Sequence, residues 1–181
     1  MFNILIKNKQ QPDSTKWLNL PKKQKELENS LKEFLAGKYP KHQNNKDLEE
    51  YIEVVKVITS YDKLQKKTKT MEEYYTIKEY NQMAETLNKM KPEEYQWLLA
   101  YLHSVPSMDL LSNLDVFKTS SIYYGEIDEE ELGRIFVKES HTKELSDFAE
   151  EYFDYKKYGK HILDDPYSGI KDTPYGIIQL K

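Results

Sequence analysis

The sequence predicts an α+β protein, a chain of small domains, on three observations. Apolar residues alternate at the start of the chain, recur at helical spacing through its middle, and fall into short β-branched pieces near its end. The boundaries expected are an N-terminal α+β domain over 1–70, a central helical domain over 71–114 and a C-terminal acidic α+β domain over 115–181. The first is a small antiparallel sheet with one helix, and the last combines helices with short strands.

Phe2, Ile4 and Ile6 share one side of an opening strand, and Trp17-Leu18-Asn19-Leu20 before Pro21 reads as a second, short strand. From Lys22 to Ala36, Leu27, Leu31, Phe34 and Leu35 recur at helical spacing, with Gly37 as the stop. Lys38 to Lys46 is a loop, and the β-branched run from Tyr51 to Ile58 is a third strand. A lysine-rich connector over Lys63 to Lys69 follows. Thr76 and Glu79 then form a capping box, opening a helix whose Tyr80, Met83, Leu87 and Met90 share a face. Pro92 with Glu93 and Glu94 starts another helix, where the dipole favours acids, with Tyr95, Leu98, Leu99 and Leu102 inward. Ser107 caps a short helix through Leu111. Val116-Phe117-Lys118 and Ile122-Tyr123-Tyr124 read as strand pieces. Asp128 caps a helix through Val137, a further helix runs from Glu144 to Tyr158 and stops at Gly159, and Tyr175 to Leu180 closes as a strand. Asp164-Asp165-Pro166 is a turn.

The chain has 181 residues, no cysteine and 38% hydrophobic residues, with 15 Tyr and 6 Phe supplying core volume. Without Cys there are no disulfides, thiolate metal sites or thiol nucleophiles, as suits a reducing compartment. No apolar run approaches the roughly 20 residues of a membrane span, and the start lacks a signal peptide's pattern. The expected location is the cytoplasm.

The net charge of −4 hides an asymmetry. Residues 1–90 hold 17 Lys/Arg against 13 Asp/Glu, net +4, and residues 91–181 hold 10 against 18, net −8. Over 126–154, 11 acids face Arg134, Lys138 and Lys143, again −8. A field of that kind attracts basic clefts and repels nucleic acid. Were 126–154 one helix, its 29 residues would span about 44 Å at about 1.5 Å per residue. That is one net charge per about 5 Å, against about 1.7 Å for duplex DNA before counterion condensation. A helix break near Ser140 raises the density.

The stretch Glu150-Glu151-Tyr152-Phe153-Asp154-Tyr155-Lys156-Lys157-Tyr158-Gly159-Lys160 resembles the Tyr-(Ile/Phe)-Asp-Tyr-x-x-Tyr-Gly-Arg segment of the ArdA antirestriction proteins. Ile77 to Leu99 is similar to the middle of that family, and Trp17-Leu18-Asn19-Leu20-Pro21 to its early Trp-x-x-Leu-Pro strand. The likeness runs in order from about Trp17 to Leu180. It implies three small domains joined into a long curved homodimer without cofactor, encoded on plasmids or conjugative transposons. Carboxylates along such a curve stand where duplex phosphates would, filling the DNA-binding cleft of type I restriction-modification complexes. The chain departs from the family in its net positive first half, where Lys22, Lys23, Lys25, Lys32, Lys38 and Lys41 lie.

The candidate DNA-mimic face comprises Glu126, Asp128, Glu129, Glu130, Glu131, Glu139, Glu144, Asp147, Glu150, Glu151 and Asp154. The plainer reading is a solvated surface, with Asp128 an N-cap and first-turn acids contributing about 0.3–1 kcal/mol each. Tyr152, Phe153, Tyr155, Tyr158 and Gly159 carry the family motif and serve a core or a dimer interface. His42, His103, His141 and His161 are scattered without ligand spacing, so no metal is expected. No carboxylate pair has a catalytic context and no Gly-rich loop exists, which argues against an enzyme.

Four readings are open. The first is an antirestriction DNA mimic acting on a host restriction-modification complex, without binding DNA itself. The second is an ArdA-like inhibitor of another nucleic-acid-guided defence enzyme, working by ordinary protein–protein contacts from its lysine side. The third is a DNA-binding accessory protein of a mobile element, and a structural scaffold also remains open.

Overall fold

A computed structural model describes residues 2–36, 48–60, 64, 75–105, 110–139 and 147–181. The expected Gly37 stop, 38–46 loop, Ser107 cap and break near Ser140 lie outside those residues, as does the 63–69 connector apart from Leu64, which is buried. The fold is mixed α+β, with two three-stranded antiparallel sheets. The chain divides into two compact units, Met1–Lys89 and Met90–Lys181.

In the first unit, β1 (Phe2–Asn8) lies between β2 (Gln11–Leu20) and β3 (Ile52–Thr59). Phe2, Ile4 and Ile6 alternate into the core, as the strand period of two requires. Strand β2 starts well before Trp17. Pro12 is tolerated within it because an edge strand spares one row of N–H groups from pairing. Helix α1 (Gln24–Leu35) buries Leu27, Leu31 and Leu35, spaced by four, and a 3-10 turn (Leu48–Tyr51) leads into β3.

Helix α2 (Ile77–Lys89) opens on the expected capping box. The Glu79 carboxylate accepts from the Thr76 N–H at 2.6 Å, and the Thr76 hydroxyl accepts from the Glu79 N–H at 3.2 Å. Glu49 adds a second carboxylate there, accepting from the N–H groups of Ile77 and Lys78 at 2.8 and 3.1 Å. Ile77, Tyr80, Met83, Ala84 and Leu87 are buried, and Tyr80 meets Phe2 ring to ring at 6.2 Å. Asn81 is buried among them without cost, since its amide exchanges two hydrogen bonds with the Lys22 backbone.

The second unit begins with α3 (Pro92–Ser104), where Pro92 takes the first turn and Glu94 accepts from the Lys91 N–H at 2.9 Å. Val116-Phe117-Lys118 is not strand but the last part of helix α4 (Leu110–Ser120). Leu110, Asn113, Leu114 and Phe117 are buried at intervals of three and four, so the helical period extends through the short β-like stretch. Strand β4 (Ser121–Gly125) follows directly, and the Ser121 hydroxyl accepts from the Trp97 indole at 2.8 Å while donating to the Phe117 carbonyl.

Helix α5 (Glu129–Glu139) precedes α6 (Asp147–Tyr152) and α7 (Tyr155–Asp164). The expected single helix from Glu144 to Tyr158 is two helices broken at Phe153 and Asp154, and Gly159 sits inside α7 rather than ending it. Asp154 causes the restart, because its carboxylate accepts from the Lys157 N–H at 2.9 Å as an N-cap. The turn at Asp165 follows, with its carboxylate accepting from the Tyr167 N–H. Strands β5 (Ile170–Lys171) and β6 (Ile177–Leu180) complete a sheet of order β4-β6-β5. Leu132, Ile162, Ile170 and Ile177 form its core, flanked by Tyr124, Ile127, Phe136, Tyr158 and Leu163.

Candidate functional site

Several acids of the second unit sit at helix starts. Asp128 accepts from the Glu131 N–H at 2.8 Å and caps α5, leaving Glu129, Glu130 and Glu131 in the first turn. The positive end of the helix dipole favours all four carboxylates there. Asp128, Glu130 and Glu131 are exposed and Glu129 is half-buried. Asp154 repeats the device at the start of α7, and the exposed Glu150 and Glu151 close α6 just before it. Asp147 opens α6. Glu144 lies outside the described residues.

Glu126 and Glu139 stand at either end of the α5 segment, both exposed. Their fields reach β4. Burial, reinforced by Glu126, pushes the Tyr123 phenol above its usual range, and burial with Glu139 does the same to Tyr124.

The sequence counts Arg134 among the charges of 126–154 but assigns it no partner. Arg134 donates to Glu130 at 2.7 Å, and its guanidinium lies 4.2 Å from the Tyr155 ring centre. The Glu130 hydrogen bond holds the Arg134 pKa above its ordinary value, with Glu150 a nearby contributor. A spacing of four between Glu130 and Arg134 was the available signal. Exposed Lys156, Lys157 and Lys160 on α7 bring further positive charge beside the acids.

The aromatic motif divides by burial. Tyr152 is 70% exposed, whereas Tyr155 is buried and Tyr158 packs on the core of the unit. Phe153 joins them across the helix break, 4.9 Å from Tyr155 and 5.6 Å from Tyr158 between ring centres. Gly159 is buried, and so is Gly133 on α5. A methyl group on Gly159 would strike the carbonyl of Glu129, and one on Gly133 the carbonyl of Tyr155. The two helices therefore touch backbone to backbone. A lone glycine inside each helical pattern was the sequence signal for that approach.

In the first unit, Lys25 and Lys32 are exposed on α1, Lys23 is exposed just before it, and Lys22 is half-buried. Lys38 and Lys41 lie outside the described residues. Among the described residues, no three His, Cys, Asp or Glu side chains gather as metal ligands would. No helix among them is long and apolar enough to cross a membrane.

Residues 14–173 match a family model described as antirestriction protein (ArdA). No curated protein matches the chain.

Proposed function

The chain belongs to the ArdA family of antirestriction proteins, and from that premise we propose that it inhibits type I restriction-modification enzymes by occupying their DNA-binding cleft. The carboxylates of the second unit take the place of duplex phosphates. It acts in the cytoplasm as a homodimer, without catalysis or cofactor and without binding DNA.

One observation carries this reading. Glu126, Asp128, Glu130, Glu131, Glu139, Glu150, Glu151 and Asp154 are all exposed, with Asp128 and Asp154 fixed as the caps of α5 and α7 and Glu130 and Glu131 in the first turn of α5. Asp128 and Asp154 serve as caps, and a carboxylate that accepts a backbone hydrogen bond still has acceptor capacity for a cationic partner. Among the described residues, the ion pair on this surface is Glu130–Arg134. A basic cleft evolved for phosphates would meet carboxylates as acceptors of the same kind of hydrogen bond.

The test is competition. The protein is titrated against a type I methyltransferase already bound to labelled DNA, at several salt concentrations. Displacement is expected, weakening as salt rises. A methyltransferase that keeps its DNA in large excess of this protein would rule the reading out.

A second reading is favoured by the exposed lysines of α1, which would contact a different nucleic-acid-guided defence enzyme directly. Reversing Lys22, Lys23 and Lys25 separates the two. Lost inhibition there, with none lost on reversing Glu129, Glu130 and Glu131, selects the second.

A further inference from the structure

Two aspartate-capped helices in the second unit share one construction. Asp128 caps α5 and Gly133 follows five residues later, and Asp154 caps α7 with Gly159 five residues later. The glycines make reciprocal contacts, Gly133 against the carbonyl of Tyr155 and Gly159 against that of Glu129. Helices packed through side chains keep their axes about 8–10 Å apart, which does not bring backbones into contact. Here the backbones meet, so neither helix can slide or roll without moving the other. Each capping aspartate stands about 7.5 Å along its axis before its glycine, at about 1.5 Å per residue.

A second tie runs alongside. Arg134 lies on the Tyr155 ring and is bonded to Glu130, so it joins α5 to α7, the second half of the broken helix. Phe153, in the break itself, packs its ring on Tyr155 and Tyr158.

We propose that Gly133 and Gly159, with Arg134 on Tyr155, are positioning residues for the inhibition described above. They hold the acids of 126–131 at a set spacing from those of 150–154, so that a cleft with cations at phosphate spacing engages both runs at once. This rests on the DNA-mimic reading. Its physical content is preorganisation, since two acidic runs free to move against each other would lose affinity to the ordering they undergo on binding. The arrangement also explains why a cation stands in an acidic surface. Arg134 lowers the charge of the patch but holds it in shape.

Removing Arg134 separates shape from charge. Arg134→Gln makes the surface more acidic, so if charge alone governed docking it would inhibit better than the parent. The positioning role predicts the opposite, a loss of about tenfold in DNA displacement from a type I methyltransferase. It also predicts a shallower dependence of that displacement on salt, because fewer carboxylates dock together. Gly159→Ala, which forces the helices apart, is expected to act the same way more strongly. The chain has no cysteine, so spin labels at Glu131→Cys and Glu151→Cys report the spacing directly. Their distance distribution should be narrow in the parent and broad in both variants, while circular dichroism shows a folded chain. Should Gly159→Ala fail to fold, Arg134→Gln decides alone. Inhibition that holds or improves in Arg134→Gln despite a broadened distance overturns the proposal, as does a distance that stays narrow. If the unaltered protein displaces no DNA, the function itself falls, whatever the labels show.

Discussion

The two units are each built on a three-stranded antiparallel sheet, but they are held together by different means. In the first, strands of seven to ten residues bury alternate side chains under amphipathic helices. In the second, the strands run two to five residues and much of the structure rests on helices, two of which meet through their backbones. Charge follows the same division, with net +4 over 1–90 and −8 over 91–181. The difference teaches that side-chain burial tolerates a variable surface, whereas a backbone contact fixes where surface groups stand. A unit that must present charges at set positions gains from the second kind of construction.

Reversing charge in each unit probes that contrast most sharply. Glu129→Lys, Glu130→Lys and Glu131→Lys together should weaken inhibition of a type I enzyme about a hundredfold or more. The matching reversal of Lys22, Lys23 and Lys25 should change it by only a few fold, measured by the same competition. Equal effects from the two units would dissolve the distinction.

Phe2→Ala removes a fully buried ring from the first sheet and should cost about 3–5 kcal/mol in urea unfolding. Gly159→Ala adds one methyl group to the second unit and should cost about 1–3 kcal/mol, as overpacking against backbone does. A neutral Gly159→Ala would mean the helix contact relaxes freely.

Asp128→Ala should lower stability by about 0.5–2 kcal/mol through the lost cap, as Thr76→Ala should in the first unit. Asp128→Asn keeps a capping oxygen and loses the charge. It should leave stability nearly unchanged while weakening inhibition, which distinguishes the cap from the mimic at one position. An Asn variant as inhibitory as the parent would assign Asp128 to the cap alone.

The smallest effects concern protons. The Lys118 ammonium, followed by the Lys91 N–H, holds the Glu94 carboxyl below its usual range. Glu94 therefore adds stability above the ordinary carboxylate pKa of about 4.3 and loses it as pH falls through the lowered value. Glu94→Gln should flatten the acid limb of thermal unfolding. Tyr123 and Tyr124 shift the other way, so their contribution is complete below about pH 10 and is lost as pH rises through their raised values. Glu126→Gln should bring Tyr123 titration downward, read from phenolate absorbance. No change would show that Glu126 does not face β4.

Local signals proved legible where the chemistry is local. The Thr76–Glu79 box, Pro92 at its helix start and the Asp128 cap are each decided within four residues, and all stand as the sequence implies. The helix break at Phe153–Asp154 was less legible. An aspartate inside an apolar-periodic run reads equally as a surface residue or a new cap, and here its carboxylate bonds the Lys157 N–H. Val116-Phe117-Lys118 misled because three residues cannot show a period, and only the spacing from Leu110 to Phe117 reveals the helix.

From the sequence alone come the α+β class, the order of most elements, the family likeness and the uneven charge, since composition and short-range spacing determine each of these. Tertiary structure alone decided what Gly159 and Arg134 do. A glycine's value as a point of contact depends on a carbonyl 30 residues away in the chain, and an arginine's partner ring is chosen by packing. Periodicity along one segment carries no information about the segment lying against it.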